Sequence, residues 1–452
     1  MLKIKEHIES NQDDYLELLF KFLRQKSISA QNVGMEEAST MLKGIMEDIG
    51  IETRLIETDG HPVVYGELHN DKNDFTLLIY GHYDVQPPDP VNEWNSPPFE
   101  PTIRDGRIYC RGVGDNKGQL MAQLLAIKTF KEVHGDNLPI NIKFVFEGEE
   151  ESGSPNLAKF VETNSELLKA DLVYTSDGPM HETGAPFVLL GVRGMLYVEL
   201  NAKGAKWDNH SGNKGNIAPN PAWKLVNLLN TMRDENGKVL IDGFYDDLRE
   251  PTQSELELIS TLPYDADQIA QQIGYKKFDM TKEDYYHKLT MEPTLNIAGF
   301  HSGYGGEGSK TIIPATAQLK IDMRLVVDQD PDDIYEKFVK HVHKYDPNIE
   351  VTRHGSMKPS RTSSDSEVVS IIKRAVENSY RQKPILQPSL GGSLPDYVWT
   401  QILGVPSVVV PYANSDEANH SPNENLNIEN FFNGILCTCH VIEELGTSKF
   451  DK

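Results

Sequence analysis

Apolar and polar positions follow two regimes along the chain, and the change between them marks a domain boundary. Residues 76–80 (T-L-L-I-Y), 140–146 (I-N-I-K-F-V-F) and 171–175 (D-L-V-Y-T) are short apolar runs of strand length. Between the first two, residues 117–133 set Leu120, Leu124, Leu125, Ile127 and Phe130 at helical spacing. Strands alternating with helices predict a largely parallel sheet covered on both faces. The same pattern returns near the end, with a helix over 365–381, a buried strand over 405–411 (V-P-S-V-V-V-P) and a closing helix over 428–446.

The middle of the chain differs. Residues 195–202 alternate as a half-buried strand, and 219–233 read as a helix opened by Pro-Asn-Pro. Strands are predicted at 293–300 and 317–327, a helix at 331–345 and a strand at 348–353. That order, β-α-β-β-α-β, predicts a ferredoxin-like α+β arrangement. Residues 234–290, aromatic and polar, form an insertion without an assigned place in it. The reading is therefore an α/β domain from residues 1–190 and 356–452, interrupted by an α+β domain at 191–355.

Composition narrows the class. The 452 residues exceed one ordinary core, and 38% hydrophobic content fits a globular chain. A formal charge of -24 repels phosphate backbones and anionic membrane surfaces, so neither nucleic acid nor membrane is an expected partner. Many acidic proteins share that balance, so it assigns no role by itself. Cys110, Cys437 and Cys439 form no disulfide framework, and no zinc-knuckle spacing links them; a reducing, cytoplasmic setting is expected. Residues 1–30 are charged and amphipathic, with Ile4, Ile8, Leu16, Leu19 and Leu23 on one side, unlike a signal peptide. No apolar run approaches the length of a membrane span.

Five polar clusters fall at strand exits or in nearby loops of the α/β domain, where parallel sheets bind ligands. His82 and Asp84 follow the strand 76–80 and, two apart, point to one side of an extended backbone. An adjacent surface His and Asp is the plainer explanation of that pair taken alone. Asp115 sits between glycines in G-V-G-D-N-K-G at a helix entry, where a simple N-cap would also be satisfied by Asp. Glu149, Glu150 and Glu151 follow a strand directly; such neighbours repel unless a cation joins them, although a solvated acidic turn has the same composition. Asp177 lies in S-D-G-P after the strand 171–175. His420 lies in N-H-S-P-N-E, where Ser421 to Glu424 also has the S-x-x-E spacing of a helix capping box. Together they offer two His and at least three Asp/Glu, a mixed nitrogen and oxygen set suited to zinc, or to manganese if more oxygen is supplied. Two ions sharing one carboxylate can hold a hydroxide at neutral pH.

The motifs G-H-Y-D-V-Q-P, R-G-V-G-D-N-K-G, E-G-E-E-E-S-G-S, S-D-G-P and N-H-S-P-N-E, in this order along nearly the whole chain, resemble the aminoacylase and carnosine-dipeptidase family of two-metal peptidases. R-G-x-x-D-N-K-G and the length most resemble its carnosine-dipeptidase branch. The resemblance implies a zinc-peptidase-like, mostly parallel sheet flanked by helices, interrupted by a lid and dimerisation domain. It implies that His82 and Asp177 hold one metal, Glu151 and His420 the other, and Asp115 both. Glu150 would be the general base acting on a metal-bridging hydroxide, and Asp84 would orient the His82 side. His210, in N-H-S-G, resembles a histidine that reaches across a homodimer to the reacting carbonyl. Arg324 in D-M-R-L and Gly391, Gly392 and Ser393 resemble elements that bind the substrate's free carboxylate, a task for which an Arg fork and backbone donors are suited. After H-S-G this chain has Lys214, Gly215 and Asn216 where the family often has G-G.

The expected activity is hydrolysis of dipeptides or short peptides. A deacylase of N-acyl amino acids uses the same site with a different pocket. A two-metal phosphoesterase would call for more cationic groups than the single candidate Arg. An inactive peptide-binding descendant would have no use for Glu150.

Overall fold

The structure, a computed structural model, describes residues 1–450 and divides into two units. The first comprises Met1–Gly191, Arg361–Ser389 and Val398–Lys452; the second comprises Val192–Ser360 and Leu390–Tyr397. The expected boundaries at 190/191 and 355/356 thus move by one and five residues, and the strip Leu390–Tyr397, expected in the α/β domain, belongs with the second unit.

The first unit is built on an eight-stranded sheet in the spatial order Glu52–Ile56, Val63–Leu68, Asn141–Glu147, Thr76–His82, Leu172–Thr175, Ser407–Val409, Phe187–Leu189, Ile385–Gln387. Its four central strands, from Asn141–Glu147 to Ser407–Val409, run parallel. The hairpin Glu52–Ile56 and Val63–Leu68 adds antiparallel pairing at one edge. Thr76–His82 lies between two parallel neighbours and is buried from Leu77 onward, as its unbroken apolar run requires. The helix Lys117–His134 is buried along most of its circumference: Leu120, Leu124, Leu125 and Ile127 are joined there by Gln119 and Gln123. It ends at Gly135, whose φ of 86° suits a residue without a Cβ. Among the described residues, no helix is long and apolar enough to cross a membrane.

The second unit has a four-stranded antiparallel sheet ordered Thr294–Ser302, Thr316–Leu325, Gly194–Lys203, Glu350–Met357. With helices Pro221–Met232 and Pro331–Tyr345 this is the expected β-α-β-β-α-β order. Burial alternates residue by residue along Gly194–Lys203, so Leu196, Val198, Leu200 and Ala202 face the core. Leu225, Leu228 and Met232 of one helix, and Ile334, Phe338 and Val342 of the other, join them. The stretch 234–290 carries three further helices, Gln253–Thr261, Ala266–Gln272 and Lys282–Thr290.

Candidate metal centre

His82 is the last residue of its strand, and its ring is fully buried. Nδ1 lies 3.1 Å from the backbone carbonyl of Asp84 and 3.2 Å from its carboxylate. That leaves Nε2 facing inward, 3.1 Å from Asp115 Oδ1 and 3.7 Å from Asp177 Oδ2. Asp115 ends the glycine-flanked loop, and its other oxygen, Oδ2, lies 3.0 Å from His420 Nε2. His420 Nε2 is in turn 3.2 Å from Glu151 Oε2. Two donor triads result, His82–Asp115–Asp177 and Asp115–Glu151–His420, each with its ligand atoms within 4.8 Å of one another. They share Asp115. Glu150 belongs to neither triad, and its Oε2 approaches His82 Nε2 to 3.9 Å.

The elements explain this convergence. His82, the turn Glu150–Ser152 and Asp177 all lie at or just beyond the C-terminal ends of adjacent parallel strands. Asp115 does not act as the helix N-cap; that position is Asn116, and the Asp115 carboxylate is left for the two histidines. Glu149 faces elsewhere, accepting a hydrogen bond of 2.8 Å from Asn156 Nδ2.

Residues 78–444, well over half of the chain, match the profile of peptidase family M20/M25/M40. The chain belongs to that family. It is 29% identical to the Cys-Gly metallodipeptidase dug1 of Schizosaccharomyces pombe, with 98% of each chain covered. It is 28% identical to the human Beta-Ala-His dipeptidase over 96% of this chain and 90% of that one. Among solved structures, the M20 family metallo-carboxypeptidase Sso-CP2 from Sulfolobus solfataricus superposes with a TM-score of 0.89 at 40% identity, covering 96% of this chain and 99% of that one. As an M20 peptidase the protein is a hydrolase of the metallopeptidase kind, and the paired triads are its candidate two-metal site.

The electrostatics of this M20 site fit cations. Asp115, Glu150, Glu151 and Asp177 crowd together, and among the described residues no Lys or Arg forms an ion pair with any of them. Burial pushes the Glu150 carboxyl well above its usual range; His82 offsets this in part, while Asp177, Asp115 and Glu151 add to it. Glu151 is raised by burial and by Asp115. Burial disfavours the charged form of His82, yet its contacts with Asp115, Asp177 and Asp84 outweigh that and raise it. His420 is raised to about 10 by Asp115 and Glu151. Among the described residues, the two histidines are the groups paired with these carboxylates. His82 Nε2 is nevertheless buried without a well-formed hydrogen bond, and a mixed nitrogen and oxygen donor set around it suits zinc or manganese.

Residues that the sequence did not single out support the predicted ones. Asp84 accepts the backbone N–H groups of Glu150 at 3.2 Å and Glu151 at 3.1 Å, as well as the Ser29 hydroxyl at 2.7 Å. Gln86 donates to Glu151 Oε2 at 2.8 Å. Glu424 corrects the capping-box reading. Its buried carboxylate accepts from the backbone N–H groups of Gly112, Gly114 and Asp115 at 2.9–3.0 Å, and from Arg111 at 2.7 Å. Glu417 is buried with neither oxygen hydrogen-bonded, and burial with the fields of Asp115, Glu424 and Asp177 holds its carboxyl well above the usual range.

The remaining sequence candidates lie in the second unit. His210 is exposed, and its Nδ1 accepts from the Gly212 N–H at 3.0 Å. Arg324 donates through Nη1 to Ser393 Oγ at 2.9 Å, and Ser393 Oγ donates to the Arg193 carbonyl at 2.6 Å. Gly391 accepts from Arg193 Nε at 3.0 Å, and Gly392 follows in the same strip.

Proposed function

We propose that the protein hydrolyses dipeptides or short peptides at the amide bond next to a residue with a free carboxylate. The observation that carries this reading is the pair of triads sharing Asp115, with Glu150 left over beside them. The two relatives quoted above are by name dipeptidases and Sso-CP2 a carboxypeptidase; a free carboxylate near the scissile bond is common to such substrates.

His82 and Asp177 would hold one divalent cation, Glu151 and His420 the other, and Asp115 both. Zinc is the proposed metal, with manganese as the alternative. When bound, such ions supply Lewis-acid activation of water and carbonyl. Asp84 fixes the His82 ring through Nδ1 and the backbone of Glu150 and Glu151 together, so a ligand and the base share one anchor. Glu150, which belongs to neither triad, would take a proton from the attacking water as it adds to the carbonyl carbon. It would deliver that proton to the leaving amine as the C–N bond breaks.

Arg324 and the strip Gly391–Ser393 would receive the substrate carboxylate. His210 would stabilise the developing oxyanion, reaching it from the partner of a homodimer formed through the second unit. Supporting that dimer, Thr294–Ser302 is an edge strand exposing Ile297 and Phe300, and Trp207, Ile217 and Trp223 are exposed in the same unit. The proposed compartment is the cytoplasm, in keeping with three buried, unpaired cysteines.

The test is Glu150→Ala assayed on a panel of dipeptides, tripeptides and N-acyl amino acids after loading with zinc or manganese. Metal content should persist while kcat falls roughly a thousandfold, within the range for loss of a general base. Undiminished turnover would remove Glu150 from the mechanism, and a preference for N-acyl amino acids would replace the peptidase reading by a deacylase one.

A further inference from the structure

In a chain whose formal charge is -24, the second unit contains a cavity of about 890 Å³ with a cationic wall. That volume lies within the range of small-molecule sites. Arg193, Arg233, Lys238, Lys288 and Arg324 line it, against Asp322 and Glu292. Both acids are partly engaged already: Asp322 lies 3.6 Å from Arg324 Nε, and Glu292 lies 3.1 Å from His287 Nδ1.

The cations fall into two groups. Arg193 and Arg324 are half-buried, and each is held by a neutral acceptor of one strip, Gly391 O at 3.0 Å and Ser393 Oγ at 2.9 Å. Each guanidinium carries five N–H donors, so most of them remain for a ligand. Burial and the neighbouring Arg324 charge lower the Arg193 pKa, the mark of like charges held together. Of the other lining cations, Arg233 Nε is pinned to Gly237 O at 3.0 Å. Lys238 follows in the same turn, and Lys288 comes from the helix Lys282–Thr290. Among the described residues, none of Arg233, Lys238 and Lys288 forms an ion pair with a carboxylate. The stretch 234–290 thus contributes Lys238 and Lys288 to the same cavity that the arginine pair lines, which gives that insertion a task.

We propose that this cavity recognises a C-terminal residue bearing two carboxylates, so that peptides ending in Asp or Glu are the favoured substrates. The main-chain carboxylate would lie at Arg193 and Arg324, and the side-chain carboxylate at Arg233, Lys238 and Lys288. The first contact rests on the dipeptidase reading above; the second rests on the charge of the cavity alone.

The experiment compares Ala-Glu with Ala-Gln, which differ in one charge, on the metal-loaded full chain. It also titrates free glutamate and glutamine calorimetrically. The wild type should favour Ala-Glu at least tenfold in kcat/KM and bind glutamate at least tenfold more tightly. Arg233→Gln, Lys238→Gln and Lys288→Gln combined should bring both ratios toward one, chiefly through KM and Kd, and 1 M salt should compress them in the wild type. Equal handling of the two dipeptides, or a preference that survives the triple substitution, would overturn the proposal while leaving the peptidase intact. If no dipeptide were cleaved, the peptidase reading would fail and the titrations would decide. A glutamate preference lost in the triple variant would then uphold the cavity's role, and indifference between the two amino acids would end it.

Discussion

Glu424 shows how one side chain can be misread from its neighbours. Its spacing from Ser421 matches a capping box, yet its carboxylate serves a loop 309–312 residues earlier in the chain, where three backbone N–H groups and Arg111 converge on it. Removing it leaves those donors buried and unpaired. Glu424→Ala should therefore cost about 3–5 kcal/mol in denaturant unfolding and loosen metal binding through Asp115. Glu424→Gln should cost less, because an amide oxygen still accepts. Equal stability of wild type and alanine variant would show that the loop holds itself. The metal-ligand candidates were legible because each sits in a short motif at a strand exit or in a nearby loop, where local order and chemistry coincide. Ser29, Gln86 and Glu417 were not, since each matters only through contact with a distant segment. Among the three adjacent glutamates the family resemblance chose Glu150 and Glu151, and the hydrogen bond from Asn156 that takes Glu149 was the part the sequence did not show.

Elements were legible where burial is periodic and the run is long. Gly194–Lys203 and Thr316–Leu325 alternate cleanly, and the predicted strands and helices around them match to within a few residues. Phe187–Leu189 and Ile385–Gln387 have three residues each, too few to show a period. Glu52–Ile56 is an edge strand without a fully buried residue, so its pattern is faint. In the insertion one signal was available: Thr252 and Glu255 form a capping box at the start of the helix Gln253–Thr261. The helix Lys117–His134 makes a sharper demand of the sequence. A Cβ at Gly118 would sit 1.9 Å from the Val113 carbonyl oxygen and 3.0 Å from Leu426 Cδ2. Gly118→Ala must push the helix from the loop that carries Asp115. A loss of about 1–3 kcal/mol is expected from the overpacking, with at least tenfold weaker zinc binding in a competition titration. Unaltered metal affinity would mean that the loop and helix move independently.

For the molecule as a whole, assembly is the open proposal. Ile297→Lys together with Trp223→Glu places charge on the exposed face and edge of the second unit, and should convert a dimer to a monomer in light scattering. If His210 acts across that dimer, peptidase activity should fall with it while metal content holds. A dimer that survives both substitutions would place the contact elsewhere. The hydrophobic period changes character near residue 190 and again near 355, one and five residues from where the two units divide. The return of Leu390–Tyr397 to the second unit was not readable, since eight residues with no strand or helix pattern of their own carry no sign of the unit they join. Its consequence is topological. The second unit is no cassette that evolution or a cloning strategy could lift out at two cuts, because the polypeptide enters it twice. A chimaera that exchanged 192–360 alone would graft a foreign Arg193 and Arg324 onto the resident Gly391–Ser393, so any inherited change in specificity has to be written in both segments at once.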